Sequence, residues 1–336
     1  MSAASIPPTH AKAGSKRPRV HLRVELLRAG KWFALGAAVL VLALTAVIYF
    51  DPLWVVDQGV RLQFLMEGVH SEYAQVGQYR VHYYVGGHGA PLLLLHGMGG
   101  RAEDWSPAIP ILTQNGFRVY AIDLLGSGRS SHPDIDYSIA EQAGMVRGFL
   151  AEQHLQSVDV AGWSLGGWVA LKLAQESPQD VQRLVLIDSA GLTFYVPYGP
   201  QLFTPADQAG LVRLTSLLTP HPVPMPGFLA RAILRRLRKN YWVVHRTVHS
   251  AIEGGDRMDG KLGAIHMPVL LAWGAQDALI PPSIAATMHQ QMPQSVLETY
   301  SGCGHSAPIA CAGRMMPDVV RFLQSNPPMT GGEFAK

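Results

Sequence analysis

Cysteine is nearly absent: 336 residues contain two, Cys303 and Cys311. Two cysteines exclude a disulfide framework and a cysteine-built zinc site. Two unrelated small residues is the favoured reading. A single disulfide stays open, since it needs an oxidising compartment and a short Cα separation that sequence does not give. A surplus of one charge sign is missing as well. The net charge is +3, and residues 1–31 hold seven Lys/Arg against Glu25 alone. The remainder keeps 20 of the 27 basic and 23 of the 24 acidic residues, a balance of −3. No basic face remains for a nucleic acid, so no nucleic-acid partner is expected. Metal-ligand clusters, a phosphate loop and a dinucleotide fingerprint are absent too, so no cofactor and no metal are expected.

Charge is lacking altogether from Trp32 to Phe50, WFALGAAVLVLALTAVIYF, 19 residues. At ~1.5 Å per helical residue this run spans roughly 28 Å, close to the ~30 Å of a bilayer core. Trp32 at one end and Tyr49 with Phe50 at the other suit the two membrane interfaces. A cleaved signal peptide has a shorter apolar stretch and a small-residue cleavage site. A buried core helix of this length carries a polar face. The run therefore reads as a signal anchor. Its basic flank is N-terminal, so the tail is expected in the cytoplasm and the rest on the other side, periplasmic in a bacterium. Pro7, Pro8, Gly14 and Pro18 among polar residues make residues 1–31 read as a mobile tail.

Beyond the anchor, strand-like and helix-like segments alternate. Strands are expected at Ser71–Val76, Tyr79–Val85, Pro91–His96, Phe117–Asp123, Val158–Trp163, Val181–Asp188, Val269–Gly274 and Val296–Tyr300. Helices are expected at Ala102–Gln114, Ile139–His154, Gly166–Glu176, Pro282–Met292 and Met315–Leu323. Near-continuous apolar strands such as PLLLLHG predict a mostly parallel eight-stranded sheet covered by helices on both faces, an α/β fold. About seventy proline-rich residues between Gly191 and Leu262 break the rhythm. A structureless loop of that length is uncommon, so a helical cap is expected there.

Four strand ends carry chemistry. The stretch VDVAGWSLGGWVAL contains Gly162-Trp163-Ser164-Leu165-Gly166, a G-x-S-x-G pattern between a strand and a helix. Glycines on both sides permit a sharp turn that lifts the Ser164 hydroxyl over a helix N-terminus. The loop after LLLLHGMGG offers the Met98 backbone N–H, which with that of Leu165 makes a two-donor oxyanion hole. His96 reads as structural. Asp277, in LLAWGAQDALIPP, suits the acid that orients an imidazole. His305, in YSGCGHSAP, suits the base that takes the Ser164 proton and returns it to a leaving group.

The order Ser164, Asp277, His305 together with the elbow resembles the α/β-hydrolase superfamily over roughly residues 71–323. Within it the chain is similar to membrane-anchored serine esterases and monoacylglycerol-lipase-like hydrolases. The segment Asp123–Ser130 resembles the family's D-x-x-G-x-G-x-S loop, with Asp123 tying its turn. The resemblance also implies a rival acid, Asp188 in VLIDSAG, since some relatives place it after that earlier strand, but the WGAQD context of Asp277 is similar to the usual site. One departure stands out: many relatives place Pro and an acid after the histidine, where this chain has HSAPIACAGR.

Outside the span of the resemblance, the composition gives a basic tail over 1–31, an anchor over 32–50, a linker over 51–70 that reads as a short helix against the membrane or the domain, and a C-terminal tail over 327–336. The hydrolase core is expected over 71–191 and 263–326, with a cap or lid over 192–262. The resemblance implies a serine hydrolase of small-molecule carboxylic esters, working through an acyl-enzyme. In FLARAILRRLRKN, Leu229, Ile233 and Leu237 line one helix face while Arg231, Arg235 and Arg238 lie elsewhere. Such a helix sits at a lipid interface or packs on the core. With the anchor, it favours a lipid-like or other apolar ester. Carbon–carbon bond hydrolases and cofactor-free peroxidases use the same triad, and a non-catalytic binding protein shares the fold.

Overall fold

The computed structural model describes residues 18–336, with side chains from residue 25 onward. The part of the expected tail over 1–17 lies outside the described residues. A first compact unit ends at Pro52 and a second runs Leu53–Lys336.

The first unit contains one helix, α1 (Pro18–Phe50). Its Glu25–Phe50 stretch is long and apolar enough to cross a membrane. Helix already begins at Pro18, so residues 18–31 are not the irregular tail that their composition suggested. Arginine and leucine are both good helix formers, and Arg19, Leu22, Arg23, Leu26, Leu27 and Arg28 make up much of this stretch.

In the second unit the expected linker forms a helix, α2 (Pro52–Met66), with Phe64 packed edge-on against Tyr84. Nine strands follow in one sheet: β1 (His70–Val76), β2 (Tyr79–Gly86), β3 (Ala90–Leu95), β4 (Phe117–Ile122), β5 (Val158–Trp163), β6 (Val181–Ile187), β7 (Val269–Gly274), β8 (Val296–Tyr300) and β9 (Glu333–Ala335). The spatial order is β1-β2-β4-β3-β5-β6-β7-β8-β9. Only β2 runs antiparallel to its neighbours; every pairing from β4 to β9 is parallel. The ninth strand corrects the expected count of eight and lies within the stretch read as a C-terminal tail. It is short and exposed, with no apolar alternation to announce it. Backbone bonds hold it: the Leu297 N–H donates to Gly332 O at 2.9 Å and the Lys336 N–H to Thr299 O at 2.8 Å.

Strand periodicity divides the core. In β3, Leu93 and Leu95 join one apolar cluster while Leu92 and Leu94 join the other, and β6 divides Leu184 and Leu186 from Val185 and Ile187 in the same way. The first face is covered by α4 (Ile139–Glu152), α5 (Leu165–Glu176) and α9 (Pro282–Gln291). The second is covered by α3 (Ile109–Gln114) and α11 (Ala312–Gln324), with the one-turn α10 (Ala307–Ala310) ahead of it. The helix expected over Ala102–Gln114 is broken into a short 3-10 turn and α3, because Pro107 and Pro110 lack the N–H donors of a continuous helix. A capping box starts α4: the Glu141 N–H donates to Ser138 Oγ and the Ser138 N–H returns to Glu141 Oε2.

Between β6 and β7 the chain makes α6 (Gln208–Leu218), α7 (Gly227–Arg238) and α8 (Tyr241–Glu253). Leu211, Ala230 and Leu234 form a small core of their own, and Val243 joins the main one.

At the far end of the sheet from the loops described below, Asp159 of β5 is buried with Arg183 4.0 Å away. Burial pushes its carboxyl up to about 6, and Arg183 only partly offsets this. A carboxyl with a raised folded-state value gives its full stability below its unfolded value and loses it as pH rises through about 6. Asp159→Asn is therefore expected to stabilise the protein by about 1–3 kcal/mol at pH 8. The gain should shrink as pH falls towards 4, read as the difference in thermal midpoint across a pH series.

Candidate active site

The strand-to-helix turn at residue 164 is tight. Ser164 has φ 57° and ψ −117°, a conformation that side chains other than glycine seldom adopt. Its neighbours make the bend possible. A Cβ on Gly162 would lie 2.3 Å from Gly166 O, and one on Gly166 would lie 2.2 Å from Leu95 O. The Gly167 and Trp168 N–H groups close the turn onto Ser164 O.

Three distant side chains meet above this turn. His305 Nε2 lies 2.9 Å from Ser164 Oγ, and His305 Nδ1 lies 2.8 Å from Asp277 Oδ2. The other Asp277 oxygen, Oδ1, accepts the N–H groups of Leu279 and Ile280 at 2.8 and 2.9 Å. A carboxylate only accepts, so the Nδ1–H donates to Asp277 and Nε2 is left to accept the Ser164 hydroxyl. All three residues are buried.

Each is held by the end of a different strand. Ser164 follows β5, Asp277 follows β7 and His305 follows β8. The Gln276 N–H donates to Cys303 O at 2.9 Å, joining the acid loop to the histidine loop. The Trp163 indole donates to His305 O at 2.7 Å, tying the histidine backbone to the residue before the serine. No sequence pattern signals this bond. Cys303 and Cys311 form a disulfide that brackets His305. This corrects the reading of two unrelated cysteines: the turn and α10 between them bring their Cα atoms to 6.2 Å, within bonding range.

The loop after β3 passes directly over the elbow, since a Cβ on Gly97 would lie 3.3 Å from Ser164 Cβ. Met98 and Leu165 line the same cavity as Ser164. Among the described residues neither backbone N–H donates to a protein acceptor. His96 has both ring nitrogens engaged, Nδ1 with Gly97 O at 2.8 Å and Nε2 accepting the Leu124 N–H at 3.1 Å. Asp123 accepts from His82, from the Ala102 N–H and from the Arg129 N–H, and so fixes its turn.

Asp188 does not reach His305. Its Oδ1 accepts the Gly274 N–H at 2.7 Å, behind the relay at the end of β7. Full burial and the nearby Asp277 charge push its carboxyl well above the ordinary range. Asp57, which sequence reasoning passed over, joins three parts of the molecule. This α2 residue takes Arg101 from the loop after β3 at 2.6 Å and Arg236 from α7 at 2.7 Å. Burial works against its charge, yet the two guanidiniums hold its carboxyl below the usual range. Only the pairing of an isolated acid with arginines 44 and 179 residues away would have revealed it.

The cavity in front of Ser164 has a volume of about 230 Å³ and mostly apolar walls, including Phe194, Tyr198, Phe203 and Ile252.

The sheet order, the elbow and this constellation define a hydrolase-type scaffold. A sequence model of the alpha/beta hydrolase family matches residues 92–315, and the chain belongs to that family. It is 30% identical over 290 residues to an uncharacterized protein of Mycobacterium tuberculosis, covering 76% of this chain and 82% of that one. It is also 30% identical over 259 residues to 2-hydroxymuconate semialdehyde hydrolase of Pseudomonas putida, covering 73% and 91%. Among solved structures it is similar to a membrane phospholipase A, a bacterial virulence factor. The TM-score is 0.72 at 25% identity, covering 87% of this chain and 99% of that one.

Proposed function

We propose that this protein is a membrane-anchored serine hydrolase of apolar, lipid-like carboxylic esters. The observation that carries the reading is the unbroken relay from Ser164 Oγ through the His305 ring to Asp277, at the floor of an apolar cavity. In this mechanism Ser164 Oγ attacks the ester carbonyl carbon while His305 Nε2 takes its proton. The Met98 and Leu165 N–H groups stabilise the developing oxyanion. His305 then protonates the leaving alcohol, and Asp277 stabilises the transient imidazolium. Water, activated by the same histidine, releases the acid from the acyl-enzyme.

Residues 192–262 act as the cap over a core made of 71–191 and 263–326. The anchor holds the enzyme with its basic N-terminal flank in the cytoplasm and its catalytic part outside. The Cys303–Cys311 bond supports that side, because disulfides persist in oxidising compartments. The solvent-facing side of α2 supports membrane proximity: Val55, Leu62, Leu65 and Met66 are all exposed there, one residue of chain after the apolar helix ends. The similarity to a membrane phospholipase A supports a lipid ester.

A second reading is carbon–carbon bond hydrolysis on the same relay, favoured by the Pseudomonas putida relative. A panel of acyl esters of graded chain length set against vinylogous diketones separates the two. Turnover of the diketones alone would overturn the ester reading. Removing residues 1–50 is expected to lower turnover of vesicle-borne esters by about tenfold or more through lost effective concentration. Soluble esters should change far less; equal losses on both would sink the anchoring role.

A further inference from the structure

We infer that Arg257 reads an anionic group on the substrate, so that the ester cleaved at Ser164 carries a carboxylate or phosphate away from its scissile bond. This rests on the ester-hydrolase reading and narrows it. Among the described residues that line the cavity with Ser164, Arg257 is the one charged side chain. Its guanidinium is fixed by neutral acceptors: Thr193 Oγ1 at 2.9 Å and Ile252 O at 2.9 Å. These two bonds come from opposite sides of the cap insertion and hold the planar fork at the cavity wall.

Asp259 reaches Arg257 only through the Thr193 hydroxyl that both share, and the other acids close to it in the chain are engaged elsewhere. Asp256 pairs with Lys172, Glu253 pairs with His249, and Asp259 accepts the N–H and hydroxyl of Thr193. Among the described residues no carboxylate forms an ion pair with Arg257. A guanidinium has five N–H donors, and two are in use. Arg257 is partly exposed, so water solvates its free N–H groups until a ligand enters, and an anionic group on that ligand would take the place of this water. Carboxylate and phosphate oxygens fit the fork in a charge-assisted, two-bond arrangement. An uncharged acylglycerol offers this group hydroxyl and carbonyl acceptors but no opposite charge.

The test uses the full chain in uncharged micelles and three chain-matched substrates. They are 4-nitrophenyl octanoate, mono-4-nitrophenyl suberate and 4-nitrophenyl 8-phosphonooxyoctanoate. Wild type is expected to favour the anionic esters by about tenfold or more in kcat/KM, mainly through KM. Arg257→Gln should bring the anionic-to-neutral ratio close to one, Arg257→Lys should retain part of it, and Arg257→Glu should push it below one. The anionic ester whose ratio depends more on Arg257 identifies carboxylate or phosphate as the group read. Equal wild-type kcat/KM for all three, or an unchanged ratio in Arg257→Gln, would overturn the inference. Binding keeps the two layers apart. Ser164→Ala should bind monomethyl suberate more tightly than methyl octanoate, and the added Arg257→Gln change should remove that difference. Absent turnover with this binding pattern intact would overturn the esterase reading and leave the anion site standing; its loss would remove the anion site whatever the reaction.

Discussion

Alanine at position 164 is expected to lower ester turnover by about five to six orders of magnitude, the range seen when a triad nucleophile is removed. The expectation follows from how little else the hydroxyl does. It meets His305 Nε2 at 2.9 Å, while the Ser164 carbonyl, not the side chain, closes the turn. Alanine keeps that backbone and the same Cβ, so the melting temperature should stay within a few degrees. Labelling by a fluorophosphonate should vanish together with activity. A variant that melts normally yet still hydrolyses esters at the wild-type rate would refute the nucleophile. A wild-type protein that neither labels nor turns over any ester would favour the non-catalytic reading.

Asp277→Asn is expected to cost about 10⁴ in kcat, the scale found when a triad acid becomes an amide. Two backbone donors determine the outcome. The Leu279 and Ile280 N–H groups both point at Oδ1, so the amide oxygen must occupy that position. The amide NH₂ then faces His305 Nδ1. That nitrogen has to become an acceptor, which moves the ring proton to Nε2, where it blocks removal of the Ser164 proton. Asp188→Asn is the contrast. Its Oδ1 accepts from Gly274, a role an amide oxygen fills, and it does not touch the imidazole. Its loss should stay within about tenfold, since tautomer and relay are untouched. Reversed magnitudes, measured at saturating ester with thermal melts as controls, would give the acid role to Asp188.

Much of the scaffold was legible because local signals and tertiary packing agree. Runs such as PLLLL and RLVLI are apolar on both faces, and the sheet is covered on both faces. The G-x-S-x-G turn was legible because two close backbone approaches, at Gly162 and Gly166, tolerate no Cβ. The order Ser, Asp, His pointed to three loops, and the structure brings those three side chains together. What escaped depends on contacts with no local footprint. The strand Glu333–Ala335 is held by backbone bonds to an edge, and its side chains are exposed. The cystine needed a Cα separation that only the folded turn supplies. The Trp163 bond to the His305 carbonyl spans 142 residues. The start of helix at Pro18 was obscured by a basic composition that helices accept as readily as disorder does.

Asp57 has a practical corollary for anyone shortening this chain. Cut behind it, and Arg101, in the loop that carries Met98, and Arg236, on α7, are left as two like charges facing a vacated spot. Both would repel, and a soluble fragment made that way would be sluggish for reasons unrelated to lipid. A faithful water-soluble version has to begin upstream of residue 57, which the cut after residue 50 respects.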